Sequence, residues 1–437
     1  MFDRESPKGH HPQSDSFTVT MAAATTKQPE HLLQRWLPSP WRVFVAVFGL
    51  LAAIYAVTAT WTLPYHGDAL TNAVTGWYLG NEGTFIAYEH EALTAPEQHG
   101  NFSWFVESPR GPISQYPPGT ALTVAPFYWL SGVPMVDTEM SGTNRPDLAP
   151  VAVPMPPFWP ATLSAVVVTA AACAFLALTA RQLGASPPLA MGTGVVAGLG
   201  TTAWAVASNM SWTHGPAMLA IAIATYSAAR ERYLLSGLAL GFGVLVRPHI
   251  GVIAAALGIG LAIHMRSLRP LVRVGFGSGM GLVALLAYNY WVWGQWTVSG
   301  GYGGVFSERL LNSSLTWFVG NVAGAFFDFR HGLLPWSPFL LLLIVGAVAG
   351  WRKAPPWARS LAVGGLLYLL IQLRANRFSG GDGHFAYRYP LETLMAAGSL
   401  FVSGYSTWIR QRPVVRWALY LSISASVLFQ GIGAYYT

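Results

Sequence analysis

The sequence predicts an all-α membrane protein, a polytopic bundle of about 11–13 transmembrane helices whose extracytoplasmic loops carry short juxtamembrane helices. Three observations carry this prediction. Of the 437 residues, 53% are hydrophobic and only 10% charged, against roughly 25% charged in an ordinary soluble domain, so the chain cannot clothe a water-facing surface. Apolar residues come in blocks of about 15 to 23, the length a helix needs to cross about 30 Å of hydrocarbon, where backbone polar groups must be satisfied internally. The basic residues stand singly or in small groups at the ends of these blocks. The formal charge of +7 therefore reads as a topology signal and excludes a nucleic-acid-binding face.

Residues 1–40 are polar, with His10, His11 and several Pro and Ser, and are expected to form a disordered cytoplasmic tail. One transmembrane domain, 41–437, follows. The block Trp41 to Leu63 is too long, and its polar lead too extended, for a cleaved signal; it is the expected first span. Residues 64–157 form a first extracytoplasmic loop in which Thr120 to Val133 is re-entrant or interfacial. Further spans are expected at Phe158 to Ala180, Leu189 to Val206, Trp212 to Ala229, Leu234 to Val246, Ile250 to Ile263 and Leu271 to Trp293. After a second large extracytoplasmic loop, 294–332, come Leu333 to Gly350, Trp357 to Leu373, Leu391 to Trp408 and Trp417 to Tyr435. Arg181, the Arg230 and Arg232 pair, and the clusters at Arg266 to Arg273, Arg352 to Arg359 and Arg410 to Arg416 occupy every second break. That alternation places those breaks in the cytoplasm and the intervening, more acidic ones outside.

Ionisable groups beside a span are costly to desolvate and are functional candidates. Asp68, in His66-Gly67-Asp68 directly after the first span, would lie near the membrane surface; the competing reading is an N-cap for the helix-like run through Ala69, Ala73 and Trp77. Glu89, His90 and Glu91 carry donors suited to a divalent metal ion beside Asp68; the competing reading is a solvated loop. Tyr116-Pro117-Pro118-Gly119 is a stiff turn leading into the re-entrant block. Arg247 and Arg388 flank spans, either as snorkelling interfacial arginines or as phosphate contacts, which guanidinium geometry suits. Cys173 is the single cysteine, which excludes a disulfide framework within the chain and a cysteine metal site.

Four elements, in order along most of the chain, resemble the GT-C class of membrane glycosyltransferases that use polyprenyl-phosphate sugars, among them protein O-mannosyltransferases and the lipid A aminoarabinose transferase. These are Gly67-Asp68 with Ala73, Gly80 and Gly83; Tyr116-Pro117-Pro118-Gly119 with Ala125-Pro126-Phe127-Tyr128; Gly237-Leu238-Ala239-Leu240-Gly241 running to Val246-Arg247-Pro248; and Gly332-Leu333-Leu334-Pro335-Trp336-Ser337-Pro338 with Tyr387-Arg388-Tyr389-Pro390. The last resembles a Pro-Arg-Tyr element, with Tyr387 where a proline is usual. The resemblance implies a plasma-membrane enzyme with an extracytoplasmic active site. It would transfer a sugar, with inversion, from a polyprenyl-phosphate donor to an acceptor hydroxyl on glycan, lipid or protein. Asp68 would be the base, Arg247 and Arg388 the donor-phosphate contacts, and Tyr116, Glu89 and Glu91 substrate contacts. A single acid at position 68, without an Asp-Asp or Asp-x-Asp pair, makes no cofactor certain and leaves dependence on a divalent metal ion open. The rival class, a transporter or flippase, calls for charges in mid-span and related broken helices in the two halves; an inactive scaffold of the same fold is the third reading.

Overall fold

The computed structural model describes residues 39–62, 66–88, 104–140, 151–381 and 383–436. Most of the expected tail lies outside them, as do Glu89, His90 and Glu91. The described residues are mostly helical. The first helix, α1 (Pro40–Thr58), starts with proline in its first turn, where the missing N–H costs nothing and φ is already helical. The same device opens α4 (Trp159–Gln182), α5 (Pro187–Leu199), α9 (Arg269–Trp293), α14 (Pro356–Ala375) and, at its first residue, α16 (Pro413–Tyr436). Between α1 and α4 lie a short helix α2 (Gly67–Trp77) and α3 (Gly119–Ser131).

Among the described residues six elements are long and apolar enough to cross a membrane: α1, α4, the segment Pro248–Met265 that contains α8 (Gly251–Met265), α9, α14 and α16. This is a helical membrane protein. Val57, Phe276, Val283 and Leu421 are exposed on these helices, an apolar surface suited to lipid and costly in water. α4 is the central helix, with most of its small Ala, Val and Thr side chains buried. Other expected spans are shorter or broken. Leu189 to Val206 is α5 followed by a wide π turn at Ala203–Ala207. Leu333 to Gly350 splits at Ser337 and Pro338 into α12 (Leu333–Trp336) and α13 (Phe339–Gly350). Leu391 to Trp408 is α15 (Leu391–Gly404) ending in a π turn at Tyr405–Ile409. The remaining helices are α6 (His214–Ala229) and α7 (Tyr233–Val246).

The loop 294–332 holds two helices, α10 (Val305–Asn312) and α11 (Leu315–Phe327). Exposed Leu311, Leu315, Val319 and Phe327 give them an uncovered apolar face. The first loop contains two antiparallel strand pairs that hydropathy does not reveal: β1 (Phe105–Ser108) with β2 (Gly111–Ser114) before α3, and β3 (Val136–Met140) with β4 (Val151–Met155) after it. The 13 residues of α3 are too few to cross about 30 Å of hydrocarbon at 1.5 Å per residue. Both its ends pack at one end of the bundle: Gly119 against the end of α7, and Tyr128 through a hydroxyl bond to the Pro157 carbonyl before α4.

Where α7 crosses α9, Gly237 and Gly241 face Gly277 and Gly281 at four-residue spacing. A Cβ on Gly241 would lie 2.7 Å from the Gly277 carbonyl oxygen, and one on Gly277 2.5 Å from the Leu238 nitrogen. Small residues at this spacing let helix backbones touch in a membrane, where dispersion replaces the hydrophobic effect as the packing force. The Gly237 to Gly241 motif is therefore a helix-packing element. Gly277→Val is expected to cost on the order of 1–3 kcal/mol through overpacking, lowering the thermal midpoint in detergent; an unchanged midpoint would remove this role.

Candidate functional site

The elements around the site are placed by short-range constraints. Pro248 disfavours helix at the residue before it, and Arg247 ends α7 in an extended conformation, φ −145° and ψ 107°. Gly119 lets α3 start directly on that turn, since a Cβ there would lie 2.6 Å from the Leu245 carbonyl carbon and the Val246 nitrogen. The Tyr116-Pro117-Pro118 segment is thereby brought beside Arg247. Ala386, with φ 52°, adopts a left-handed conformation uncommon outside glycine. After it Tyr387 turns inward, its hydroxyl 2.7 Å from the Ser337 hydroxyl, a contact that proline at this position would lack.

The two competing roles for Asp68 separate cleanly. The N-cap of α2 is His66, whose Nδ1 accepts from the Asp68 backbone N–H at 3.2 Å. Asp68 stands inside the first turn, so its carboxylate is left for other partners. The Arg388 Nη1 donates to Asp68 Oδ2 at 2.7 Å, the Tyr116 hydroxyl donates to the same carboxylate, and a second Arg388 nitrogen donates to the Gly380 carbonyl. Burial alone would raise the Asp68 pKa, but the Arg388 charge, the His66 imidazole and these hydrogen bonds outweigh it and hold the carboxyl below 3.8. The partner effects are mutual: burial and the adjacent carboxylate push the Tyr116 hydroxyl well above its ordinary range.

The second arginine has its own counter-charge. Arg247 Nε donates to the Thr213 hydroxyl at 3.1 Å and Nη1 to the Tyr368 hydroxyl at 2.8 Å, and the guanidinium lies 3.5 Å from Glu392 Oε1. That same oxygen accepts from His214 Nδ1 at 2.9 Å, with both side chains fully buried. The Tyr389 ring stands between the two centres, with the Arg388 guanidinium 5.4 Å and the Arg247 guanidinium 5.7 Å from its centroid. Arg388 also lies 4.8 Å over Trp212. Around them His384 sits between Trp212 and His331; burial, reinforced by Arg388, pushes its pKa down to about 2, so it adds no charge. Tyr302 and Phe306, from the segment carrying α10, reach in against Tyr116 and His249.

Of the sequence candidates, Asp68, Arg388 and Tyr116 are in mutual contact, and Arg247 is joined to them through Tyr389. Glu89 and Glu91 lie outside the described residues. Among the described residues there is no group of three or more His, Cys, Asp or Glu placed to hold a metal ion. Glu392, His214 and Tyr368 escaped the sequence reading. For Glu392 the signal was present: an acid in the first turn of an apolar block is costly unless paired or functional.

Each buried arginine faces one carboxylate, and only part of each remains accessible: the side chains of Asp68, Arg247 and Arg388 are 13%, 13% and 9% exposed. The fold and site thus define a helical membrane protein with two arginine–carboxylate centres converging at one end of its bundle. No protein-family model and no curated protein matches the chain.

Proposed function

We propose that the protein is a GT-C-like integral membrane glycosyltransferase, moving a sugar from a polyprenyl-phosphate donor to an acceptor hydroxyl at the extracytoplasmic face of the plasma membrane. The observation that carries this reading is the Asp68–Arg388 contact with Arg247 beside it, because such a transfer needs a base and phosphate-binding cations within one small volume. In this reading about eleven helical segments cross the bilayer. The breaks containing Asp68, Arg247 and Arg388 share the outer side, and α3 is the re-entrant element of the first loop.

The reaction balances as a direct displacement. The acceptor oxygen attacks the anomeric carbon and the new C–O bond forms with inversion. The bond to the phosphate oxygen breaks, its electron pair leaving with the polyprenyl phosphate, and the acceptor proton passes to the Asp68 carboxylate. While Arg388 holds Asp68 the carboxylate is a weak base. A donor phosphate competing for Arg388 withdraws that cation and strengthens the base when substrate is present. Arg247 supplies the second cation toward the leaving phosphate. Tyr116 orients the carboxylate, and the surrounding aromatic rings offer faces to sugar and isoprenoid. Acceptor glycan, lipid or protein enters from the polar side; nucleic acid has no role.

The buried charges favour an enzyme over a transporter. Glu392 and His214 stand in the first turns of α15 and α6, at an end of the bundle, whereas a permeation path places charges at mid-membrane. The test is transfer from a panel of polyprenyl-phosphate sugars by purified protein in lipid. Arg247→Gln is expected to raise the KM for donor about 10–100-fold, the value of one charge-assisted hydrogen bond. No transfer with any donor or acceptor pool would sink the proposal.

A further inference from the structure

A groove of about 580 Å³ runs along the lipid-facing seam between α8 and α14, from Val252 on the side of the site to His264 at the other end of α8. Small side chains on α8, Ala255, Ala256 and Gly260, form its floor, and Val363 and Leu367 on α14 form one wall. From Val252 to Ile263 it follows about 11 residues of helix, roughly 16 Å at 1.5 Å per residue, close to half of a hydrocarbon core of about 30 Å. It therefore has the length of one leaflet. Its lining is apolar except at the end holding His264, Arg359 and Ser360, with Trp351 beside them. Trp at such a level is an interfacial anchor.

The charge at that end is one-sided. No Asp or Glu occurs between Arg232 and Ser307 or between Phe329 and Gly381, so neither groove helix nor its flanks supply a counter-charge. Among the described residues Arg359 and His264 have no ion-pair partner. Arg352, Lys353 and Arg266 adjoin the same end. Basic pockets between helices at a membrane surface attract anionic headgroups, at about 1 kcal/mol per cation.

We propose that this groove binds one anionic phospholipid, its phosphate at Arg359 and His264 and an acyl chain lying along α8 toward Val252. The site is separate from the arginine–carboxylate centres and does not depend on the transferase reading. The test uses purified protein in detergent with phosphatidylglycerol or phosphatidylcholine added, bound lipid counted by intact-complex mass spectrometry. The wild type is expected to retain one phosphatidylglycerol with about tenfold preference over phosphatidylcholine, the effect of one to two cations near a headgroup. Arg359→Gln should reduce the preference to about twofold. Ala255→Phe fills the groove from its exposed side and should abolish retention of that lipid; Ala256→Leu serves if Ala255→Phe does not fold. Equal retention of both lipids by the wild type, undiminished retention in the filled variant, or a second protein copy covering the groove would each overturn the assignment.

Discussion

Asp68→Asn is expected to lower the turnover of sugar transfer by about 10²–10⁴-fold, the usual contribution of a positioned general base. Asparagine keeps the size of the side chain and one oxygen to accept from Arg388, so the loss reports the missing charge and basicity more than a missing contact. The pH profile gives a second reading. The Asp68 pKa is held below 3.8 against its burial, so the acid limb of kcat/KM, which follows the free enzyme, should fall below the ordinary carboxylate range. In Arg388→Gln the cation that offsets burial is gone, and the limb should move to higher pH. The linkage has a definite sign: a carboxyl with lowered folded pKa contributes stability that is present above 3.8 and is lost as pH falls through its folded value. The stability gap between wild type and Asp68→Asn should accordingly narrow in acid. Turnover by Asp68→Asn equal to wild type, at matched folded fraction, would remove Asp68 from the mechanism.

Glu392→Leu is expected to destabilise the protein by about 3–5 kcal/mol, the cost of stripping one partner from a buried ion pair. Glu392 is wholly buried, and its loss leaves Arg247 without a counter-charge and His214 without the acceptor for Nδ1. The penalty lies in the orphaned groups more than in the intrinsic value of the pair, because desolvation offsets most of the Coulomb attraction. Adding Arg247→Met to Glu392→Leu should therefore recover much of the stability while weakening donor binding as Arg247→Gln does. Glu392→Gln, which keeps the acceptor for His214 and loses the charge, should fall between. Thermal or denaturant unfolding in detergent measures all three; a Glu392→Leu variant within about 0.5 kcal/mol of wild type, the range of an ordinary surface substitution, would show that the pair does not hold this end of the bundle together.

Hydropathy and helix-end chemistry are local properties. The helical membrane character, the opening prolines of α1, α4, α5, α9 and α14, and the standing of Asp68 just past the first span are accordingly legible in residues read one neighbourhood at a time. The breaks in Leu189 to Val206, Leu333 to Gly350 and Leu391 to Trp408 were less legible. An apolar block records how much lipid or protein it can face and carries little record of where its backbone hydrogen bonds shift from α to π spacing. The β hairpins were hidden for a related reason, since their strands are too short for alternation to stand out from the surrounding loop.

What the sequence determined by itself is a chain obliged to fold as helices in lipid, with Asp68, Tyr116, Arg247 and Arg388 at the ends of its apolar blocks. Only the tertiary structure decided their partners. Asp68 and Arg388 are 320 positions apart and His214 and Glu392 are 178 apart. Nothing in the local composition around either member encodes the other. A charge buried in a membrane protein must find its opposite wherever packing brings it, and that requirement is satisfied in three dimensions.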